Sequence, residues 1–505
     1  MNHLLASVDL GSNSFRLVIG RVVHDAGVTQ LYEIDRMKET VRLAAGLDEN
    51  RNVDEPTIER AVAVLERFGE RLRSFHPDRV RAVATNTFRV ARNVSSLLPR
   101  AEAALGFPIE VVAGREEARL IFAGVAHSLP SSPEKRLVID IGGGSTEFVI
   151  GTGFDPELLE SLHMGCVSYS RRFFPDGKIN ADNMQRAELA ARRELETISQ
   201  RYRKADWRFA YGSSGTAKAL AAILPATGLS SGGITREGLT ALKQRLVRAG
   251  NVHDAKLEDI KADRAAVLPG GLAIMLAAFH ELDIDTMHAA DGALRVGVLY
   301  DLLGREASHD KRSDTVVQFM SRYEVDRAQA ARVRNAALAF YCATAPASGL
   351  QEQATQANGE SAEMTQLLGW AADLHETGLS IAHSGYHRHT AYILANADMP
   401  GFSKSEQQLL AMFGLGQHGK LNRPELQLPS EEHWRALLCL RLAAVLLRRR
   451  EDFEPLPLTL SAKGKRFRAS VSKEWLESHP LTEYSLRAEQ DEWKKIGFEL
   501  DFAEI

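Results

Sequence analysis

Apolar positions along residues 1–125 switch between two periods. Alternating or continuous apolar runs predict strands at 4–10, 15–23 and 80–84, and three-to-four spacing predicts helices at 56–74, 93–105 and 115–127. Pro130-Ser131-Ser132-Pro133 breaks the pattern and predicts a hinge. A second alternating block follows, with strands near 137–141, 146–151 and 208–211 and helices near 182–203, 215–223 and 235–249. From about 306 the strand signals cease, and amphipathic helices are predicted at 313–343, 362–381, 387–397, 404–418 and 431–450. The small, polar stretch 343–364 reads as a loop between helices. β character returns at 456–460, 467–471 and 498–502, with short helical turns at 474–479 and 489–493. The expected architecture is an α/β pair of lobes at 1–128 and 129–305, an α-helical domain at 306–450 and a small α+β C-terminal domain at 451–505.

Composition narrows the class without naming a chemistry. A chain of 505 residues exceeds one hydrophobic core, and 44% hydrophobic with 25% charged residues is ordinary for a globular protein. The three cysteines, Cys166, Cys342 and Cys439, are far apart and form no CxxC pair, which points to reduced thiols and a cytoplasmic location. Leu4-Leu5-Ala6-Ser7-Val8 is too short for a secretion signal, and no apolar run approaches the ~18 residues of a membrane span. A net charge of −4 announces no nucleic-acid partner, so any polyanion must be held by local clusters. The densest lies at 435–468, where nine Lys or Arg face three acids, a local +6.

One repeat carries most of the chemistry. VDLGSNSFRLVI (8–19) returns without a gap as IDIGGGSTEFVI (139–150), pairing Asp9 with Asp140, Gly11 with Gly142 and Ser14 with Ser145. An Asp ending a strand is a rigidly placed oxygen ligand for Mg²⁺ or its water, and the following glycines let backbone N–H groups approach a phosphate. Ser12, Asn13, Ser14, Ser145 and Thr146 add donors, while no Gly-Lys-Ser/Thr follows, so neither copy is a P-loop. The copies differ where Arg16 of the first meets Glu147 of the second: one offers a cation for phosphate, the other a carboxylate for metal or water. That second carboxylate has an immediate use in a hydrolase directing water.

Three further segments fit a phosphate-handling cleft. Thr85-Asn86-Thr87-Phe88-Arg89 follows a predicted strand and opens a helical turn, an arrangement suited to an anion. Tyr211-Gly212-Ser213-Ser214-Gly215-Thr216 lies between a strand and a helix and resembles the phosphate-meeting loop of two-lobed ATPases. Gly114-Arg115-Glu116-Glu117 opens a helix, and adjacent helical residues point about 100° apart, so only one of the two glutamates aims into a cleft.

Together these motifs closely resemble the exopolyphosphatase / guanosine pentaphosphate phosphohydrolase family. The resemblance is carried by 8–19, ATNTFR (84–89), GREEARLIFAGV (114–125), VIDIGGGSTEFVIG (138–151), YGSSGTAKAL (211–220), AVLPGGLAI (266–274) and DGALRVGVLYDLL (291–303), and it continues into LHETGLSIAHSGYHRHTAYIL (374–394). It implies duplicated ribonuclease-H-like lobes of the actin, hexokinase and chaperone ATPase superfamily. It also implies Mg²⁺-dependent release of terminal orthophosphate from linear polyphosphate, or of the 5′ γ-phosphate from guanosine pentaphosphate. By that resemblance Glu117 is the general base, with Glu147 and Arg89 beside it in the chemistry. Asp140, Glu147 and Asp9 hold the metal. Ser12, Asn13, Ser14, Gly143, Gly144, Ser145 and Thr146 cradle phosphates, with Ser213, Ser214 and Gly215 added from the third loop.

The helical region resembles an HD-type phosphohydrolase domain whose His-Asp pair has become His375-Glu376, leaving His383, His387, His389 and His418 without a complete ligand pattern. A packed domain lining a substrate channel is the expectation there, together with a homodimer. Within the family, exopolyphosphatase is favoured over guanosine pentaphosphatase. An actin-like ATPase or kinase and a non-catalytic polyphosphate or nucleotide sensor are the more distant readings.

Overall fold

Each copy of the repeat forms the central hairpin of its own sheet. The computed structural model describes residues 3–25, 28–130, 132–257, 262–306, 310–344 and 358–504, in two compact units, Met1–Asp310 and Lys311–Ile505. Ser131 of the expected hinge and 345–357 of the expected loop lie outside the described residues.

In the first unit β1 (His3–Leu10) pairs antiparallel with β2 (Ser14–Asp25), which pairs antiparallel with β3 (Val28–Thr40). On the other side of β1 lie β4 (Val80–Ala84) and then β5 (Ile109–Val111), both parallel, giving the order β3-β2-β1-β4-β5. The second sheet contains β6 (Arg136–Ile141), β7 (Thr146–Thr152), β8 (Asp155–Leu162), β9 (Phe209–Ser213), β10 (Ile234–Thr235) and β11 (Thr286–Ala289). Its order is β10-β11-β9-β6-β7-β8, with the same directions around β6 as around β1. Strand for strand, β6, β7, β8, β9 and β11 repeat β1 to β5, and β10 adds an antiparallel edge. The duplication read over twelve residues therefore extends over a whole sheet. All six residues of β6 are buried, which is why this central strand reads as a near-continuous apolar run.

Two helices lock the sheets together. Gly114–Ser128 follows β5 of the first sheet but packs on β7 and β8 of the second; Leu294–Glu306 follows β11 but packs on β1, β2 and β4 of the first. Where they cross, a Cβ on Gly297 would overlap Leu120 O, and one on Gly292 would overlap Gly124 O. Val83, Phe122, Val138, Val149 and Val298 form one shared core across this crossing. Cuts at 128 and 305 thus separate the sheets but not their packing.

The second unit begins with helices Lys311–Arg322, Arg327–Ala343, Asn358–Asp373, Tyr386–Asn396, Lys404–Gly416 and Glu431–Leu446. The continuous helix expected at 313–343 is broken: Glu324 takes φ 51°, and Asp326 starts the next helix by accepting from Gln329 N at 3.0 Å. The helix expected to reach 381 stops at Asp373, and the short turn expected at 489–493 is the end of a full helix, Pro480–Lys494. β12 (Leu458–Lys463), β13 (Arg466–Val471) and β14 (Glu499–Glu504) form a small sheet in that order. One apolar core runs from Val316 through Leu446 to Leu500 with no break at residue 450.

Candidate functional site

The turns after β1 and β6 face one another across the crossing. A Cβ on Gly143 would lie 3.0 Å from Ser12 Cβ, and one on Gly144 would lie 2.5 Å from Asn86 Oδ1, so this close approach requires glycine. Backbone bonds hold each turn. Val41 N and Arg42 N donate to Asn13 O at 3.1 and 2.8 Å, while Cys166 N and Val167 N donate to Gly142 O and Gly143 O at 2.9 and 3.0 Å. Thr87 Oγ1 donates to Ser12 Oγ at 2.8 Å, so the segment after β4 braces the first turn.

Carboxylates gather between the turns. Glu117, in the first turn of helix Gly114–Ser128, accepts from Arg89 Nη1 at 2.7 Å, and Arg89 also donates to Val112 O at 2.9 Å. Glu116 turns elsewhere. It pairs with Arg119 at 2.8 Å inside a buried network that links Arg81 to Glu110 at 2.9 Å and to Asp301 at 2.5 Å. Asp9 sits opposite Arg16 in the β1–β2 register and Asp140 opposite Glu147 in β6–β7, so each pair shares a sheet face. Burial, with Glu117 adding to it, pushes Asp9 up to about 6 against the pull of Arg16, and pushes Asp140 up to about 6 against hydrogen bonds from Ser213 and Ser214 and the pull of Arg16. Burial, then Glu117 and Asp140, push Glu147 well above the usual carboxylate range, and Ser161 Oγ donates to it at 2.9 Å. Four mutually repelling carboxylates in one buried region store a demand for positive charge.

Eleven of the residues singled out from sequence line one cleft. Asp9, Ser12, Asn13 and Ser14 come from the first copy, and Asp140, Gly143, Gly144 and Ser145 from the second, with Glu117, Ser214 and Gly215 alongside. Four others do not line it. Arg89 and Glu147 lie behind the lining as partners of Glu117 and Asp140. Thr146 spends its O–H on Met164 O at 2.6 Å, and the Ser213 hydroxyl is shared between Gly292 O, at 2.9 Å, and the Asp140 carboxylate, which leaves neither a donor for a phosphate. Arg16, Thr85 and Asn86 line the cleft and were visible in the motifs. Arg264 also lines it, over Gly215, and had no signal, being one arginine on the four-residue helix Ala262–Ala265.

The expected metal trio is not assembled. No group of three or more His, Cys, Asp or Glu able to hold one ion occurs among the described residues. Asp9 and Asp140 are the two strand-end carboxylates in the lining, with raised proton affinity and hard oxygen donors. That set fits Mg²⁺, which is usually held by one or two carboxylates plus water and substrate phosphates.

Comparison with known proteins gives the family. The family model for the Ppx/GppA phosphatase family matches residues 19–306, and that for Ppx/GppA phosphatase domain III matches 312–490. The crystal structure of the Aquifex aeolicus Ppx/GppA family member is 26% identical, covers 61% of this chain and 99% of its own, and superposes with TM-score 0.51. A second structure, of the Aquifex aeolicus PPX-GPPA enzyme, is 27% identical over 59% of this chain and 99% of its own, with TM-score 0.50. An exopolyphosphatase from Cytophaga hutchinsonii shares the fold at 23% identity, covering 60% of this chain and 98% of its own, with TM-score 0.54.

Proposed function

The chain belongs to the Ppx/GppA phosphatase family, and we propose that within it the protein is an exopolyphosphatase that hydrolyses terminal orthophosphate from linear polyphosphate. The observation that carries this reading is Glu117, held by Arg89 at 2.7 Å in a cleft between two facing glycine turns. A phosphate cradle with a carboxylate beside it is what water attack on a terminal phosphorus needs. Ser12, Asn13, Ser14, Ser145 and the N–H groups of both turns bind and orient the terminal phosphates. Glu117 takes a proton from water as the new O–P bond forms. The bridging P–O bond breaks, and its electron pair leaves with the shortened chain. Arg89 fixes the carboxylate's aim, and Glu147 with Ser161 shapes the charge behind Asp140. Asp140 and Asp9 would hold Mg²⁺, which would supply charge neutralisation at the transferring phosphoryl.

Recognition through phosphates alone favours polyphosphate. No Phe, Tyr or Trp is among the described residues lining the cleft, so no aromatic face is on hand to stack a purine. Guanosine pentaphosphate 5′-phosphohydrolase is the second reading, on the same cradle. Orthophosphate release from long polyphosphate, guanosine pentaphosphate and ATP, measured side by side with Mg²⁺ and with chelator, separates them. Polyphosphate is expected to give the highest kcat/KM, and only with Mg²⁺. Preference for guanosine pentaphosphate would replace the first reading by the second, and equal rates in chelator would remove Asp9 and Asp140 from a metal-holding role.

A further inference from the structure

One short helix serves three parts of the cleft. Asn86–Val90 follows β4, and each of its polar side chains reaches a different neighbour. Thr87 Oγ1 donates to Ser12 Oγ of the first glycine turn at 2.8 Å. Arg89 Nη1 donates to Glu117 at 2.7 Å and to Val112 O at 2.9 Å. Asn86 reaches the second turn, where its amide lies against Gly144: a Cβ there would stand 2.5 Å from Oδ1, 3.0 Å from Cγ and 3.6 Å from Nδ2.

Thr87 and Arg89 are fully engaged within the protein, but Asn86 is not. An asparagine at the start of a helix ordinarily turns its side chain back onto the local backbone. The Asn86 amide makes no such bond and has no hydrogen-bond partner among the described residues. The residue is nevertheless only 9% exposed, and it lines the cleft with Glu117, Asp140 and Ser145. A nearly buried amide without partners is unfavourable unless something that enters the cleft satisfies it.

The chemistry of that partner follows from the surroundings. An amide offers two N–H donors, and a half-turn about Cβ–Cγ exchanges them with the oxygen. Phosphate oxygens are acceptors and match the donors. Arg16 and Arg264 already bring full positive charge to the cleft, whereas an amide adds a donor that forms no ion pair with Asp9 or Asp140. Three residues further along the same helix, Arg89 aims Glu117. Whatever Asn86 holds is therefore fixed to the same support as the base, which is the requirement for the phosphorus under attack.

We propose that Asn86 binds the terminal phosphoryl group of the substrate, donating from its amide to an oxygen of that group. The inference rests on the phosphate-hydrolysing role proposed for the cleft and adds a substrate contact to it. By this contact one helix joins the first turn through Thr87, the base through Arg89 and the reacting phosphate through Asn86. Gly144 is part of the same arrangement, since any side chain there would press the amide out of its place.

Two variants close to asparagine in size separate donation from packing. Asn86→Leu keeps a branched side chain against Gly144 and removes both N–H groups; Asn86→Asp keeps the shape and puts a repelling charge in place of a donor. Each is made in full-length Glu117→Gln, in which turnover is slow, and titrated calorimetrically with tripolyphosphate and Mg²⁺. The Kd is expected to rise about 10-fold or more in Asn86→Leu, and further in Asn86→Asp. Without substrate, Asn86→Leu should melt no lower than its parent, because it loses no bond of the folded protein. With Glu117 restored, KM for tripolyphosphate should rise in the same order. A parent-like Kd in Asn86→Leu, a parent-like Kd in Asn86→Asp, or a loss of affinity matched by a lower melting temperature would overturn the proposal. A parent that binds no tripolyphosphate would overturn the proposed function and this inference with it, so the two failures are told apart.

Discussion

At the scale of single residues, the adjacent Glu116 and Glu117 divide structure from chemistry. Glu117 lines the cleft and is aimed by Arg89, whereas Glu116 is 3% exposed and sits in the Arg81–Glu110–Arg119–Asp301 network. Glu117→Gln is therefore expected to lower kcat by about 10²–10⁴ with little change in melting temperature. Glu116→Gln should do the reverse, costing about 1–3 kcal/mol of stability with kcat nearly intact, read by thermal melting and single-turnover rates. The helical turn restricted the choice to one of this pair, and family likeness selected Glu117. What the sequence hid is where hydroxyls go: Thr146 and Ser213 look like phosphate donors, but both bond to carbonyls brought in from distant segments. Asp9 and Asp140 carry a second prediction. Each has a folded value of about 6 against an ordinary 3.8, so the folded state holds their protons more tightly than the unfolded chain does. The stability they confer is full below about pH 3.8 and is lost as pH rises through about 6. In chelator, the wild type should lose melting temperature between pH 4.5 and 7 relative to Asp9→Asn/Asp140→Asn. Mg²⁺ should restore it in the wild type only. Parallel curves for the two proteins would show that these carboxylates are not proton-retaining.

At the scale of elements, periodicity found the helices and the central strands but not the edges. β3 is largely polar and exposed along VTQLYEIDRMKET, and β5 is three residues long, so neither shows a two-residue apolar alternation strong enough to read. β8 and β11 were missed for the same reason, while the central strands β6 and β7, buried on both faces, stood out. The break at Glu324 depends on one left-handed residue, which no apolar period registers, although the Asp326 cap two positions later was there to be read. DGALRVGVLYDLL was recognised as a motif, yet its glycines are explained only by an element about 170 residues earlier. Gly292 and Gly297 let helix Leu294–Glu306 cross Gly114–Ser128 at backbone contact. Gly297→Ala would place a methyl group onto Leu120 O. Relief requires the helices to separate, which is expected to cost about 1–3 kcal/mol or more. Because Glu117 rides on the same helix, kcat should fall with it; Gly250→Ala, at a left-handed cap with open space around it, serves as a control whose effect on stability should leave kcat unchanged. Melting curves and turnover of the two variants check this. A Gly297→Ala protein as stable and active as wild type would show that the crossing tolerates a wider spacing.

At the scale of the molecule, the apolar cores set what can be separated. The clusters of Met1–Asp310 take no buried member after Leu302, and that of Lys311–Ile505 takes none before Val316. The two sheets of the first unit, by contrast, share Val83, Val138 and Val298 and exchange covering helices, so neither sheet has a complete core alone. The sequence repeat revealed two lobes because it preserves local strand-turn-strand chemistry; it could not reveal the exchange, which is a fact about packing between distant segments. All the side chains proposed for catalysis lie before residue 310. A fragment ending at Asp310 is therefore expected to fold, melt cooperatively and release orthophosphate from tripolyphosphate with Mg²⁺. Fragments ending at 128 or beginning at 129 should not fold, since each would expose a sheet whose covering helix belongs to the other. Circular dichroism, melting and phosphate release on the three fragments decide the point. A soluble, cooperative 1–128 fragment would refute the shared core, whereas a 1–310 fragment that folds but fails to bind tripolyphosphate would move the phosphate cradle away from the facing glycine turns.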